Sequence, residues 1–276
     1  MEVLLGGITS VLYGVADFLG GEASRKVNAA TVVVWSGVFS FPLLLVVVVF
    51  TGGDAAGADY LFGFAAGVSG AIGLVMLFTG LARGRAATVA PISAALGAVV
   101  PVVVAVLAGD RPSLLAWVGV GIAVPAIALS AWTDDGESNT RSGLIYGATA
   151  GLGFGGFAAI IGLTGEDSGI HPLVTARGGL VVVLMVLAGF GVWKLQGFGH
   201  TPKGLILANS VTDVWANIML IYALRAGSFA LAAVAASFYP AATVILAKLI
   251  NSESLRARQI VGIAMTLVAL GLIAAD

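Results

Sequence analysis

Cysteine is absent from the chain. That removes disulfides, thiolate nucleophiles and cysteine metal sites together. Histidine is almost absent, with only His171 and His200. Charge is scarce as well. Asp, Glu, Lys and Arg make up 10% of the 276 residues, where a soluble domain has about a quarter. The net charge of −1 gives no basic footprint for nucleic acid, so no such partner is expected. Neither H-E-x-x-H nor a phosphate-cradling G-x-x-x-x-G-K-[ST] occurs. No cofactor and no metal are expected. Without an ATPase motif, any pumping has to draw on a gradient.

What the chain does have is apolar surface: 59% of its residues are hydrophobic. A water-soluble fold cannot bury that much, so lipid must be the solvent. A span needs roughly 20 apolar residues. The sequence offers ten, at about 3–21, 29–50, 60–82, 87–108, 113–132, 143–163, 172–193, 204–224, 228–250 and 257–275. No basic region precedes the run that starts at Val3, so the first segment is expected to be a retained helix and not a cleaved signal peptide. The longest polar stretch, 133–142, separates five spans in 1–132 from five in 143–276.

The two halves resemble each other. At a shift of 143 residues, Leu81 falls on Leu224, Gly84 on Gly227, Ala87 on Ala230, Ala90 on Ala233 and Ala98 on Ala241. Asp110 falls on Glu253, Val118 on Val261 and Gly119 on Gly262. Near the front, Tyr13-Gly14 falls on Phe154-Gly155 at a shift of 141. An odd number of helices per repeat forces the halves into opposite membrane orientations, a recurring design of transporters. The expected fold class is therefore an all-α polytopic membrane protein with ten transmembrane helices in two inverted five-helix repeats.

Basic residues predict the orientation. Ten of them (Arg25, Lys26, Arg83, Arg85, Arg141, Lys194, Lys203, Lys248, Arg256 and Arg258) lie in or beside the odd connections, and only Arg111 and Arg225 lie in the even ones. Lys/Arg excess marks the cytoplasmic side. Both termini are thus expected outside a cell membrane. Gly63-Gly67 and Gly147-Gly151-Gly155 are G-x-x-x-G patterns that permit close helix packing in lipid. Pro42, Pro91, Pro101, Pro125 and Pro240 fall inside spans, where each can kink its helix. Trp132 and Trp193 are expected as interfacial anchors.

The polar residues inside spans carry the functional reading. The eighth span holds N-S-V-T-D-V-W-A-N, Asn209 to Asn217. Asn209, Asp213 and Asn217 recur every fourth residue, so they share one helix face. A charge at that depth costs a few kcal/mol and is tolerated when it faces protein or a wet cavity. Asp17 and Arg177 are the other ionisable residues at depth. Counting ~1.5 Å per residue, Arg177 lies about 7 Å outward of its span centre and Asp17 a similar distance inward. Arg177 should therefore reach Asp213 but not Asp17. The bridge is either structural or a binding group, with Arg177 taking a carboxylate or phosphate and Asp213 an amine or proton. Its matching positions, Val34 and Gly70, are uncharged, as is Ala158 opposite Asp17. Asp17 is a candidate for proton coupling or gating, as is Asp213, with Lys248 as the competing partner of Asp17. Asn209, Asn217, Tyr13, Trp215 and Tyr239 complete the candidate binding set. Tyr222 and Phe238 are further candidates for an aromatic wall.

Gly67-Val68-Ser69-Gly70 matches the G-x-S-G of intramembrane serine proteases. Those need a histidine at membrane depth, and both histidines here fall in connections, so an enzyme is not expected. Motif order points elsewhere. Y-G-x-x-D-F-L at 13–19, L-A-x-G at 81–84, A-P-I-S-A at 90–94 and T-A-R at 175–177 occur in sequence. They are followed by S-F-Y-P-A-A-T-V at 237–244 and S-E-S-L-x-x-x-Q-x-x-G at 252–262. The whole chain resembles an EamA-type member of the drug/metabolite transporter superfamily. It departs from the family pattern in lacking basic residues at 51–59 and in reading Gly109-Asp110-Arg111 where G-E-R is usual. The resemblance implies a central cavity and alternating access, often with export of amino acids, metabolites or drugs. The expectation is a secondary transporter of a small solute, with proton coupling open. A passive facilitator of the same fold and a non-transporting scaffold or lipid-handling protein are the alternatives. The expected partners are a small-molecule substrate and the lipid bilayer, with a homodimer left open.

Overall fold

The computed structural model describes residues 2–83, 85–107, 109, 111–131, 137–225, 238–253 and 255–275. Trp132, Gly84, Asp110, residues 133–136 of the polar linker and the segment 226–237 lie outside the described residues, as do the side chains of Tyr222, Leu224 and Arg225. Gly227, Ala230 and Ala233 of the repeat comparison fall in that segment. So does the expected start of the ninth span.

Among the described residues there are ten α-helices and no strand. They are α1 (Glu2–Ser24), α2 (Ala29–Thr51), α3 (Gly57–Ala82), α4 (Ala86–Leu107), α5 (Leu114–Ala131), α6 (Glu137–Ile161), α7 (His171–Gly189), α8 (Lys203–Arg225), α9 (Tyr239–Asn251) and α10 (Ala257–Ala274). Seven are long and apolar enough to cross a membrane. Of the remaining three, α5 is a shorter apolar helix, α8 carries Lys203, Asp213 and Arg225, and α9 has 13 described residues. With every internal backbone group bonded along its own helix, such segments are stable in lipid.

Local signals set the ends. The Asn28 side chain accepts from Thr31 N at 2.8 Å and caps α2, leaving fewer unmet amides in the first turn. Asp59 accepts from Ala56 N at 2.8 Å and closes the start of α3. Gly52, at φ 65°, ends α2 in a conformation that L side chains resist. Pro42, Pro91, Pro101 and Pro125 lie inside their helices, whereas Pro240 sits in the first described turn of α9. α6 starts at Glu137, within the polar stretch, ahead of the apolar window at Arg141–Ile161.

Packing is governed by small residues. Gly63 and Gly67 of α3 lie against the backbone of Pro172 and Ala176 in α7, and Gly179 of α7 lies against the backbone of Phe64. A side chain at Gly67 would occupy the space of the Ala176 carbonyl. On α6, Gly147, Gly151 and Gly155 receive Ile92, Leu96 and Val100 of α4. The principal pairings are α1 with α8 and α9, α3 with α6 and α7, α4 with α6, α5 with α10, and α2 with α7 and α8.

One span ends early. α7 stops at Gly189, not near 193, because the chain folds back along α2. Asn28 Nδ2 donates to Lys194 O at 2.6 Å and Trp35 Nε1 to Gln196 O at 2.9 Å. Gln196 N donates to Thr31 Oγ1 at 3.1 Å. Phe198 then stacks on Trp35 and Phe39, with centroids 5.2 and 4.7 Å apart. Phe39 is about 15 Å along α2 from its start, so the connection dips well down the helix. Trp193 is correspondingly packed against the core beyond the end of α7 and does not terminate a span.

Candidate functional site

α8 positions the polar face. Asn209, Asp213 and Asn217 do share a side of it, but they do different things. Asn209 is 3% exposed. Its Nδ2 donates to Ala16 O of α1 at 2.7 Å, and its Oδ1 accepts from Ser36 Oγ of α2 at 2.6 Å. It ties three helices together with both ends of its amide already engaged. Asn217 Nδ2 turns back to Asp213 O at 2.7 Å, one turn earlier on α8.

Asp213 points to α7. Arg177 Nη2 donates to Asp213 Oδ2 in an ion pair. The two side chains are 14% and 21% exposed, so neither is sealed in the packing. α7 and α8 do not pack along each other; both pack on α2. The bridge joins two helices that both pack on α2, beside an apolar cluster of Leu44, Val174 and Val214.

α1 and α9 line the same region. Tyr13 lies within electrostatic reach of Asp213, Arg177, Asp17 and Tyr239. Its ring meets that of Tyr239 edge-on, with centroids 6.4 Å apart. The approach is close because Gly14 lets α9 come down on α1, with Tyr239 O and Ala242 at the position a Cβ would take. Thr243 Oγ1 donates to Tyr239 O at 3.2 Å. Asp17, one turn on from Tyr13, has Asp213 as its charged neighbour. Among the described residues no hydrogen bond or ion pair to the Asp17 carboxylate is present. Lys248 is exposed and forms no ion pair with it. Tyr13, Asp17, Asn217 and Tyr239 are half-buried, like the ion pair. These polar side chains keep open surface in the middle of the helix assembly.

Trp215 is placed elsewhere. It is 52% exposed and falls in line with Leu207 and Val211, both about 40% exposed, along the apolar outer stripe of α8. Phe238, 42% exposed, precedes α9. Sequence reasoning missed three small hydroxyl residues: Ser36, which holds Asn209; Thr243 on α9; and Ser93 of α4, buried near Tyr239 with its Oγ donating to Ala90 O at 2.9 Å. Their signal is a hydroxyl on the buried stripe of an apolar helix, which many packed serines also show.

No curated protein matches the chain. The model of the EamA-like transporter family matches residues 1–132, the stretch read above as the first repeat. Over those residues the chain is similar to the EamA-like transporters, and its apolar helices are those of a multi-pass membrane protein.

Proposed function

We propose that the protein is a secondary active transporter that moves a small solute across the cell membrane by alternating access, with export as the favoured direction. Its binding site is the chamber bordered by Tyr13, Asp17, Arg177, Asp213, Asn217 and Tyr239. The observation that carries this reading is the Arg177–Asp213 pair at membrane depth, which keeps open surface beside the half-buried polar side chains of α1, α8 and α9.

The inverted-repeat reading has support in the packing partners. Exchange each helix with the one five places on. The α1–α8 pairing becomes α6–α3, α4–α6 becomes α9–α1, and α3–α7 becomes α8–α2. All six pairings occur. α5–α10 and α2–α7 exchange into themselves, and both occur. A two-fold relation between 1–132 and 143–276 accounts for these pairings, while α1–α3, α4–α10 and α2–α3 have no such counterpart among the principal contacts of the described residues. It puts the chamber at the repeat interface, where inverted-repeat transporters bind. In this reading the connections bearing the ten basic residues face the cytoplasm. Asp17 serves coupling or gating, because a carboxylate without a fixed partner can take up and release a cation.

Purified protein in liposomes provides the test. A panel of amino acids, sugars, nucleotides and organic cations should include a solute whose gradient drives uptake. Asp213→Asn and Arg177→Ala should each abolish that flux while the purified variants keep a cooperative melt. Undiminished flux in both would discard the site. Imposing a pH difference with Asp17→Asn asks the coupling question: a response that vanishes in the variant supports proton coupling, and an unresponsive wild type supports passive exchange.

A further inference from the structure

The charge of the chamber turns on which of its groups have a partner. Arg177 and Asp213 neutralise each other. Asp17 is left over. The helices that pack on α1 bring nothing to offset it: α2 has no charged residue, and the acidic residue of α3, Asp59, is bonded at the far end of that helix. α8 presents Asp213, and α9 presents Tyr239, with Lys248 exposed. Segment 226–237 contains no Lys, Arg or His, so it cannot supply a hidden counter-ion. The remaining group within reach is Tyr13, itself neutral at ordinary pH. With Asp17 ionised, two carboxylates face one guanidinium, and the site carries one net negative charge.

That sign selects a ligand. A carboxylate or phosphate would have to share Arg177 with Asp213, whose bond takes Nη2, and sit beside two carboxylates, where like charges at close range in a low-dielectric site repel strongly. A cation meets the opposite situation. It discharges Asp17 and finds two tyrosine rings in a T-shaped contact, whose open faces attract ammonium groups. We propose that the solute is an organic monocation, an amine or quaternary ammonium on an apolar or aromatic body without a free carboxylate, bound by Asp17 and flanked by Tyr13 and Tyr239. The Arg177–Asp213 pair is then a fixed wall of the chamber. This deepens the transporter reading and rests on it.

Four probes that share one ring and differ in charge test it: phenethylamine, phenethyltrimethylammonium, phenylalanine and 3-phenylpropanoate. They are titrated into full-length protein in detergent while its melting temperature and heat of binding are followed. A ligand that binds only the folded state raises the melting temperature. Both cations should raise it, and 3-phenylpropanoate should not. Asp17→Asn should weaken the cations at least tenfold, and Asp17→Glu, which keeps the charge, should restore part of the loss. The quaternary probe separates cation binding from simple proton exchange with an amine. A response led by phenylalanine or 3-phenylpropanoate and lost in Arg177→Gln overturns the cation assignment and leaves the transporter reading standing. Silence to all four overturns it as well. In that case solute flux that still depends on Asp213 would keep the transporter reading, and its absence would end both.

Discussion

The two ends of the helix assembly are closed in different ways. At the end where α1 gives way to α2 and α9 to α10, long side chains meet across the two halves. Arg25 Nε reaches Glu22 Oε1 at 2.7 Å, and its Nη2 reaches Glu253 Oε1 at 3.5 Å. Asn251 Nδ2 donates to Glu22 Oε1 at 2.6 Å, and Gln259 Nε2 to Thr88 Oγ1 at 3.2 Å. Glu253 Oε2 also accepts from Ala86 N at 3.1 Å at the head of α4, where a carboxylate suits the helix dipole. At the opposite end the chain itself is joined. Gly165 N donates to Asp59 Oδ1 at 2.8 Å, and Asp54 N to Asp167 O at 2.8 Å. His171 Nδ1 lies 2.9 Å from Ser168 O, and its ring meets Tyr60 edge-on. That joint runs directly into the glycine seam between α3 and α7. Side chains part by rotating, whereas apposed backbones part only by repacking. The same end also carries the 194–198 connection on α2, so in the alternating-access reading it is the Arg25–Glu253 contacts, and not that whole end, that separate at lower cost than the glycine seam.

The largest expected effect comes from wedging the tight side. Gly67→Leu places a branched side chain where the Ala176 carbonyl lies. Overpacking of a close contact costs about 1–3 kcal/mol and occasionally more, so the variant should lose its cooperative melt or shift it far down. Gly178→Ala, also on α7, meets nothing within 4 Å. Removing a helix-interior glycine there should leave the melt unchanged or raise it, by up to about 1 kcal/mol. Equal losses in the two variants would mean that the α3–α7 seam is not the rigid part.

The next effect comes from removing the carboxylate of the same joint. Asp59 is 7% exposed and accepts from two backbone N–H groups. In Asp59→Ala both lose their acceptor, and a buried unmet donor costs about 1–3 kcal/mol. Thermal unfolding in detergent should show a clear loss, smaller than that of Gly67→Leu. No loss would remove the contrast between the ends.

Most of the helices were legible because lipid makes the pattern simple. Continuous apolar length marks the spans, and the helices begin and end within about three residues of the expected positions except at the start of α6, at Glu137, the end of α7, at Gly189, and the ninth span, whose expected start lies outside the described residues. The end of α7 was hidden because V-W-K-L-Q-G-F-G reads as a weak apolar continuation, while the hydrogen bonds from Asn28 and Trp35 that pull it out of the helix come from far away in sequence. At the site, Arg177 and Asp213 stood out because charge at depth is rare. Which member of the polar stripe faces inward was harder. Helical spacing puts Asn209 beside Asp213, yet contacts with Ala16 and Ser36 use up its amide. Trp215 is the reverse case: two residues from Asp213 in sequence, it lies around the other side of α8. Periodicity gives a face to each residue, but only neighbouring helices decide whether that face meets a chamber, a partner or lipid.

The smallest effect is a pH dependence confined to the looser end. Burial pushes the Glu253 carboxyl above the ordinary glutamate range; the bond from Ala86 N and the nearby Arg25 pull it back down, and Glu22 pushes it up. The net shift is upward. A folded-state value above the unfolded one means that the folded protein holds this proton more tightly. The associated stability is fully present below the ordinary glutamate value and is lost as pH rises through the raised one. Glu253→Gln keeps an oxygen for Ala86 N and removes the titration. The difference in melting temperature between wild type and Glu253→Gln should therefore favour the wild type more on the acid side and shrink or reverse toward neutrality. Partly exposed ion pairs contribute about 0–1 kcal/mol, so the change should be well below that of Asp59→Ala. A dependence of the opposite sign, with the wild type favoured more toward neutrality, would mean that the Arg25 pairing, not burial, governs Glu253. In that case the contacts read here as the easier to part would be held by a charge pair as firmly as the opposite end is held by its backbone.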